Sequence, residues 1–354
     1  MQYDWYSKSI PELQEYLSDL GEQRFRALQI FKWLHQKHAQ SFEEMSDLSR
    51  GLREKLSEAA PLRPAYIEQR QMAEDGTGKF LIRLPAEGAA AEGAAIESVL
   101  MKYHFGYSLC ISSQAGCRMG CRFCASTLNG LERNLTAGEM LQQVYVVERE
   151  MQITISHIVV MGCGEPLDNY EALLRFLELI HQPEGKNLSL RSITVSTCGL
   201  TSRLRDLADL NLPITMAISL HAPNDAIRQR IMRIAEAVPL KELMDACRYY
   251  IEKTNRRLTF EYLLIKGIND TGHCAHQLAD RLKGMLCHVN LIPVNPVKEC
   301  GFERPSPETI EHFVQVLNER HVPVTVRREM GKNIDAACGQ LRAKAERKTD
   351  GRGN

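Results

Sequence analysis

The sequence contains no apolar run long enough to cross a lipid bilayer, and its first residues, MQYDWYSKSIPELQ, lack the basic-then-apolar pattern of a secretory signal. It also lacks net charge, because 44 Lys and Arg residues balance 44 Asp and Glu residues. The missing signals lead us to expect a cytoplasmic protein that does not associate with membranes. The missing basic surplus argues weakly against a nucleic-acid-binding surface spread over the whole protein.

The charge balance hides a local excess near the C-terminus. Residues 324–354 contain eight Lys and Arg residues and four Asp and Glu residues, a surplus of four positive charges. A local basic patch can contact phosphates even on a neutral protein. The alternative is a solvated tail that binds nothing, and composition alone favours that alternative.

The eleven cysteines are present without a secretory signal, so a disulfide-stabilised scaffold is not expected. Eight of them are isolated, and an isolated cysteine is usually a small buried side chain. The other three, Cys117, Cys121 and Cys124, stand together in GCRMGCRFCAS. Soft thiolate ligands at this spacing favour an Fe–S cluster or zinc.

No fourth Cys or His follows these three cysteines at short range, whereas a closed structural zinc site requires four ligands. Three thiolates on a [4Fe-4S] cluster leave one iron open, and the amine and carboxylate of S-adenosylmethionine (AdoMet) can chelate that iron. Such a cluster can pass an electron to the sulfonium and release a 5′-deoxyadenosyl radical. We therefore predict a [4Fe-4S] cluster and AdoMet as cofactors, with zinc as the alternative.

The periodicity of apolar residues divides the chain into four parts. Residues 1–60 have helical spacing and form a predicted accessory domain, and residues 61–103 form a β-rich extension. Strands and helices alternate over residues 104–327, which predicts a parallel sheet with right-handed crossovers. Six βα units are too few for a closed eight-stranded barrel, so we predict an α/β fold with a partial (βα)6 barrel. Residues 328–354 form a C-terminal segment.

Several motifs, in family order, resemble the RlmN/Cfr family of radical AdoMet RNA methyltransferases, and the RlmN branch is the closer match. They are LCISSQAGCRMGCRFCAS, NLTAGEM, VVMGCGEPLDNY, ITVSTCG, AISLHAPND, HVNLIPVNP and VRREMGKNIDAACGQLRAK. The N-terminal segment ALQIFKWLHQKHAQSFEEMSDLS also resembles the accessory domain of that family. The resemblance implies a radical-SAM barrel with an RNA-contacting helical domain at its N-terminus.

The resemblance implies a mechanism that uses two separate cysteines. Cys338, in DAACGQL, receives a methyl group from one AdoMet. A second AdoMet, bound at the cluster held by Cys117, Cys121 and Cys124, is cleaved to the radical, which takes a hydrogen from that methyl group. The methylene radical then adds to an adenine ring. Cys110 helps to deprotonate and resolve the adduct, which leaves a Cys110–Cys338 disulfide that must be reduced.

The resemblance also implies that Glu97 is the proton acceptor, and it supplies a set of AdoMet-binding residues. These are Gly164, Glu165, Ser196, Ser219, Leu220, His221 and Asn295, with Phe123 packed beside the cluster. The carboxylate of Glu165 is expected to accept hydrogen bonds from the amino group of AdoMet. Taken alone, each residue favours a structural interpretation, with Glu97 as a charge at a strand edge and His221 as a hydrogen-bonded histidine at the end of the barrel. Cys163 and Cys198 depart from the usual residues of the family, and we expect them only to fill space.

The implied reaction is methylation of adenine carbon 2, in 23S rRNA near the peptidyl transferase centre and in tRNA just 3′ of the anticodon. The alternative is Cfr-type methylation of carbon 8 of the same rRNA adenine, which confers antibiotic resistance. Pro166 of GCGEP favours the first, because Cfr-like chains tend to have Ala there. A non-catalytic Fe–S protein of the ribosome needs neither Cys110 nor Cys338, and a zinc-binding RNA module lacks its fourth ligand. We expect a monomer that takes electrons from a flavodoxin- or ferredoxin-like donor.

Overall fold

The computed structural model describes residues 3–86, 93–295 and 301–328. Its α-helices are α1 (Ile10–Asp19), α2 (Arg26–His35), α3 (Arg50–Ala59), α4 (Ala137–Met151), α5 (Tyr170–His181), α6 (Thr201–Asp209), α7 (Asp225–Ile231), α8 (Leu240–Thr254), α9 (Gly272–Leu282) and α10 (Pro307–Glu319). Its strands are β1 (Tyr66–Met72), β2 (Gly78–Arg83), β3 (Ala95–Tyr103), β4 (Gly106–Ile111), β5 (Gln114–Gly116), β6 (Leu131–Asn134), β7 (Ile155–Val160), β8 (Ile193–Thr197), β9 (Thr215–Ser219), β10 (Leu258–Leu264), β11 (Cys287–Pro293) and β12 (Val324–Val326). Over the residues described, no helix has the length and apolar character that a membrane span requires.

Ten of these strands form one mixed sheet in the order β1-β2-β3-β4-β7-β8-β9-β10-β11-β12. From β4 to β12 every neighbouring pair is parallel. Six strand–helix units and a final strand therefore make up the partial (βα)6 barrel, which confirms the fold predicted from the alternation of strands and helices. The barrel is open, because β1 and β12 stand at opposite ends of the strand order.

The two faces of the parallel strands have different chemistry. On β10, Phe260 and Tyr262 are fully buried in the core beneath the helices, whereas Glu261 lies on the opposite face. On β9, Ile218 belongs to the same core beneath the helices, and the next residue, Ser219, lies on the opposite face of the sheet. The face of the sheet toward the barrel interior therefore carries polar side chains, which do not pack against the helices.

The antiparallel strands β1, β2 and β3 continue the barrel sheet. Strand β3 pairs with β4, and Val99 stands opposite Cys110 in this pairing. Because side chains alternate along a strand, Glu97 shares the face of Val99, and that face also carries Cys110. The extension thus brings Glu97 to the same side of the sheet as Cys110.

The N-terminal helices are held against the barrel by buried polar contacts within one continuous apolar core. Helix α1 begins at a capping box formed by Ser9 and Glu12, as a Ser-x-x-Glu sequence predicts. The Nδ1 atom of His35, on α2, lies 2.8 Å from the hydroxyl oxygen of Tyr145 on α4. Helix α4 therefore contacts the accessory helices on one side and the sheet on the other.

Two elements near the cysteine loop were not expected from the periodicity. Strands β5 and β6 form a short hairpin on either side of the loop, and α7 follows β9. The hairpin requires glycine at Gly116, where φ is +78° and a Cβ atom would lie 2.1 Å from the carbonyl oxygen of Gly130. Strands of three or four residues and a helix of seven are too short to produce a readable apolar period.

Candidate active site

The three-cysteine loop lies beyond the C-terminal end of β4, and the loops that follow β7, β8 and β9 surround it. Cys117 is buried, and Cys121 and Cys124 are partly buried. The three thiols are close enough to interact electrostatically with one another. The sequence motif therefore folds into a loop that gathers its cysteines at one place, which is the end of the barrel where ligands bind in such folds.

The loop has the chemistry of a cluster site. Burial raises the pKa of Cys117 to about 12 and also raises the pKa of Cys121, with neighbouring thiols adding to both effects. Such thiols need a nearby positive charge before they deprotonate, and iron supplies one. In the part of the chain that the structure describes, no three His, Cys, Asp or Glu side chains converge on a ready-made site for a single metal ion. In a four-iron cluster each of the three thiolates binds a different iron, so these ligands need not converge on one point.

The segment that begins with α7 supports the cysteine loop through backbone contacts. The N–H of Arg122 donates to the carbonyl of Ile231 at 2.9 Å, and Cys121 forms an isolated antiparallel bridge with Met232. Inside the loop, the hydroxyl of Thr127 donates to the carbonyls of Cys121 and Cys124 at 3.0 and 2.9 Å. Hydrogen bonds to α7 and within the loop therefore define the backbone conformation of the loop.

The GCGEP loop after β7 is packed directly against the strand that leads to the cysteines. Gly164 has a φ of +107°, and a Cβ atom there would lie 2.6 Å from the Cβ atom of Gln114. The N–H of Glu165 donates to the side-chain oxygen of Gln114 at 2.8 Å. Only glycine can occupy position 164 at this approach, which is why the motif places a glycine before its glutamate.

The carboxylate of Glu165 is buried and accepts hydrogen bonds from the protein itself. It accepts from the N–H of Leu167 at 3.0 Å and from the N–H of Cys198 at 2.8 Å. Burial raises its pKa, and the hydrogen bonds that involve Cys198, Thr197 and Leu167 act in the opposite direction. Glu165 thus ties the loop after β7 to the loop after β8, a connection that the sequence did not reveal.

The remaining predicted AdoMet-binding residues lie at the ends of β8, β9 and β11. The hydroxyl oxygens of Ser196 and Ser219 are 3.5 Å apart. The N–H groups of Leu220 and His221 both donate to the carbonyl of Glu261, at 3.1 and 3.2 Å. Asn295 is exposed just after β11. The structure therefore brings the serines together and anchors the Leu220–His221 turn on the neighbouring strand.

His221 connects this turn to the cysteine loop. Its ring meets the ring of Phe123 edge to face, with the centroids 5.0 Å apart. Its Nδ1 atom accepts a hydrogen bond from the N–H of Leu263 at 2.9 Å, which leaves the proton of the neutral ring on Nε2. Burial, helped by Arg228, lowers the pKa of His221 to about 3, so the ring is neutral at physiological pH.

Glu97 and Cys110 lie on the inner face of the sheet, and Cys110 is on β4, the strand that leads toward the cysteine loop. The Glu97 carboxylate forms an ion pair with the Lys79 ammonium at 3.1 Å, and both side chains are buried. Cys110 is buried among Val99, Met101 and neighbouring side chains of β7. Glu97 is therefore not an exposed charge at the sheet edge. Cys338 lies outside the described residues.

A set of polar residues that no sequence motif singled out joins these parts. The hydroxyl of Ser112 donates to the carbonyl of Glu97 at 2.8 Å and accepts from the N–H of Cys163 at 3.0 Å. The side chain of Gln143, on α4, bonds both backbone groups of Ser112. Ser112 and Gln114 stand within the quoted motif SSQAGC, so the motif marked their position but not their partners.

Comparison with protein-family models matches residues 6–62 to the ribosomal RNA large subunit methyltransferase N-terminal domain and residues 111–275 to the radical SAM superfamily. A solved structure, described as a radical SAM methyltransferase from Sphaerobacter thermophilus, is 44% identical to this chain. It superposes with a TM-score of 0.89, and the match covers 95% of this chain and 98% of that one.

Two curated relatives match nearly the whole chain, and both are described as probable dual-specificity RNA methyltransferase RlmN. The protein from Lachnospira eligens is 51% identical over 344 residues, which is 96% of each chain. The protein from Desulforamulus reducens is 52% identical over 338 residues, which is 95% of each chain.

The open barrel, which carries the loop of three cysteines, has the fold of a radical AdoMet methyltransferase. Within that class the chain belongs to the RlmN family, since its similarity to curated RlmN proteins extends over almost the entire length of both. Membership of the radical SAM superfamily implies a [4Fe-4S] cluster and AdoMet as cofactors.

Proposed function

We propose that this protein methylates carbon 2 of adenine in RNA, in 23S rRNA at the peptidyl transferase centre and in tRNA 3′ of the anticodon. The observation that carries the proposal is the position of Glu97 and Cys110 on one inner face of the sheet, with Cys110 on the strand that leads toward the cysteine loop. Diagonal neighbours on adjacent antiparallel strands lie about 7–8 Å apart, so one substrate atom can approach both side chains.

Cys117, Cys121 and Cys124 hold the cluster in this proposal. AdoMet is bound by Gly164, Glu165, Ser196, Ser219, Leu220, His221 and Asn295. When bound, the cluster and AdoMet supply the methyl group and the one-electron chemistry that an unactivated adenine carbon requires. Two AdoMet molecules are consumed for each methylation, one of them as the methyl source for Cys338. Besides the carboxylate of Glu165, the Nε2–H of His221 and the hydroxyls of Ser196 and Ser219 are hydrogen-bonding groups that the chain offers to AdoMet.

The chain's own residues then carry the group transfer. Cys338 bears the methyl group. One hydrogen atom of that group would pass to the 5′-deoxyadenosyl radical supplied by bound AdoMet, the methylene carbon would bond to carbon 2 of the adenine ring, and the adduct would return its unpaired electron to the bound cluster. Glu97 accepts the proton lost from carbon 2, and the Lys79 ammonium compensates its charge in this buried position. The thiolate of Cys110 attacks the sulfur of Cys338 and forms the disulfide. The bond between that sulfur and the methylene carbon breaks, and its electron pair, with a proton, completes the methyl group.

The proposal requires two partners besides AdoMet. RNA is the substrate, and the basic residues of the C-terminal segment are candidates for phosphate contacts, although they lie outside the described residues. A donor of the flavodoxin or ferredoxin type supplies electrons, and the Cys110–Cys338 disulfide is reduced after each cycle. Pro166, which follows Glu165 and begins a single 3₁₀ turn, supports the carbon-2 specificity, because the resemblance associates Ala with carbon-8 enzymes.

The two-cysteine part of the proposal is tested with Cys110→Ala and Cys338→Ala, purified from cells and analysed by denaturing gel electrophoresis and peptide mass spectrometry. The Cys110 variant should carry RNA covalently bound to Cys338, because the adduct forms and is not resolved. The Cys338 variant should carry none, because it accepts no methyl group. RNA bound to neither variant, or normal turnover by either, contradicts this assignment.

The site of methylation is tested separately by mass spectrometry of RNA nucleosides from cells with and without the gene. The expected loss is 2-methyladenosine from both rRNA and tRNA. Loss of 8-methyladenosine instead would support the carbon-8 alternative.

A further inference from the structure

Arg228, on α7, is an arginine whose whole side chain is buried. Its Nη1 atom donates to the carbonyl of Val238 at 3.0 Å, and its Nη2 atom donates to the carbonyl of Cys198 at 2.8 Å. Its Nε atom is buried and has no hydrogen-bond partner among the described residues. The guanidinium therefore connects the loop after β8 to the segment before α8, but backbone carbonyls do not satisfy it completely.

The positive charge of Arg228 has no carboxylate partner at ion-pair distance in the described part of the chain. Asp225 is the acid that interacts with it electrostatically, but the Asp225 carboxylate accepts a hydrogen bond from the N–H of Leu240. A buried charge is costly unless an opposite charge compensates it. Burial accordingly lowers the pKa of Arg228, and the neighbouring groups that would favour its charged form when ionised include Cys121 of the cysteine loop.

The same helix is the support of the cysteine loop. The carbonyl of Arg228 accepts a hydrogen bond from the N–H of Met232 at 2.8 Å, and Met232 forms the backbone bridge with Cys121. Arg228 thus lies one helical turn before the residue that pairs with a cluster cysteine. One backbone segment therefore carries both the buried charge and the contacts that support the loop.

We propose that Arg228 is the buried counter-charge of the iron–sulfur cluster and that it makes the cluster easier to reduce. This inference rests on the proposed assignment of Cys117, Cys121 and Cys124 as cluster ligands. Three thiolates give the oxidised cluster a net negative charge, and the electron from the flavodoxin- or ferredoxin-type donor adds another. A fixed positive charge in a dry environment stabilises the more negative state, which raises the reduction potential. Arg228 is a positioning and tuning residue in this role, because it need not touch AdoMet or RNA.

The test is a redox titration, followed by electron paramagnetic resonance, of the anaerobically reconstituted full-length protein without AdoMet. Arg228→Gln keeps hydrogen-bond donors but removes the charge. It should retain iron and sulfide and should shift the reduction equilibrium toward the oxidised cluster at least about tenfold, which is 59 mV for one electron. Arg228→Lys keeps the charge and should stay close to the wild-type potential.

Arg281→Gln is the matched control. The Nε atom of Arg281 also donates to a backbone carbonyl, that of Pro223 at 2.8 Å, but its electrostatic partners are Asp225 and Arg248 and no cysteine. The reduction potential of the cluster in Arg281→Gln should equal that of the wild-type protein.

Each outcome bears on the counter-charge role. A full cluster at unchanged reduction potential in Arg228→Gln overturns the counter-charge role and leaves Arg228 with only a structural role, in which it connects two loops. If Arg228→Gln loses iron, a full cluster at near wild-type potential in Arg228→Lys supports the role, whereas loss of iron from both variants overturns it. A wild-type protein that binds no four-iron cluster would contradict the proposed function itself, and iron and sulfide analysis identifies that case separately.

Discussion

Replacement of Glu165 separates two roles that its carboxylate can have. The family resemblance makes it a ligand for the amino group of AdoMet, whereas the structure shows that it accepts hydrogen bonds from the N–H groups of Leu167 and Cys198. If the second role holds these loops together, Glu165→Ala must loosen them even when no AdoMet is present. If the carboxylate acts only on AdoMet, the protein without AdoMet must be unaffected.

The size of the effect follows from the two hydrogen bonds. A buried donor left without a partner costs about 1–3 kcal/mol, so Glu165→Ala should destabilise the pair of loops by about 2–6 kcal/mol. Glu165→Gln keeps one carbonyl oxygen as an acceptor, so one of the two N–H groups loses its partner, and the cost is about 1–3 kcal/mol. Local opening should become about 5–150 times more frequent in the Gln variant, and more frequent still in the Ala variant.

Amide hydrogen exchange measured by mass spectrometry reports this opening directly, because the amides of Leu167 and Cys198 are the donors themselves. Peptides that contain these residues should exchange faster in both variants without AdoMet. Glu171→Gln is the matched control, since Glu171 is an exposed acid in the first turn of α5. Wild-type exchange at both amides in Glu165→Ala would refute the reasoning and leave AdoMet binding as the function of the carboxylate.

The remaining predictions concern the cluster, the accessory helices and the basic segment. The single replacements Cys117→Ala, Cys121→Ala and Cys124→Ala should each abolish iron binding and the release of 5′-deoxyadenosine, because each removes one ligand of the cluster. A variant that keeps full iron and full product would show that its cysteine is not a ligand. Burial lowers the pKa of His35 to about 3, whereas an unfolded histidine titrates near 6.5, so its contribution to stability is complete above about pH 6.5 and falls as the pH decreases. Between pH 7 and pH 5 the free energy of unfolding in urea should fall by about 2 kcal/mol less in His35→Gln than in the wild type, and an unchanged pH profile in that variant would contradict the prediction. Neutralising the basic C-terminal residues should weaken RNA binding and reduce its dependence on salt, whereas an unchanged salt slope would mean that the segment is only solvated. The residues are Arg342, Lys344, Arg347 and Lys348.

The sequence by itself determined the class of the protein and the outline of its fold. The spacing of Cys117, Cys121 and Cys124 is a local property of a short segment, and so is the order of the motifs around it. The alternation of strands and helices predicted six βα units and a last strand, because apolar periodicity and chain order are properties that a linear sequence retains. The assignments of Cys110, Cys338 and Glu97 came from family resemblance, since an isolated cysteine or glutamate carries no local signal.

Only the tertiary structure decided which groups meet. Glu165 contacts the N–H of Cys198 across 33 positions in the chain, and Arg228 contacts the carbonyl of Cys198 across 30. Strand β3 turns Glu97 into the barrel interior, where it pairs with Lys79. Such contacts depend on the register between strands and on the path of each loop, and a one-residue change of register would place these side chains on the opposite face. The physical reason is that residue type and spacing are encoded locally, whereas burial and charge pairing arise only when distant segments pack together.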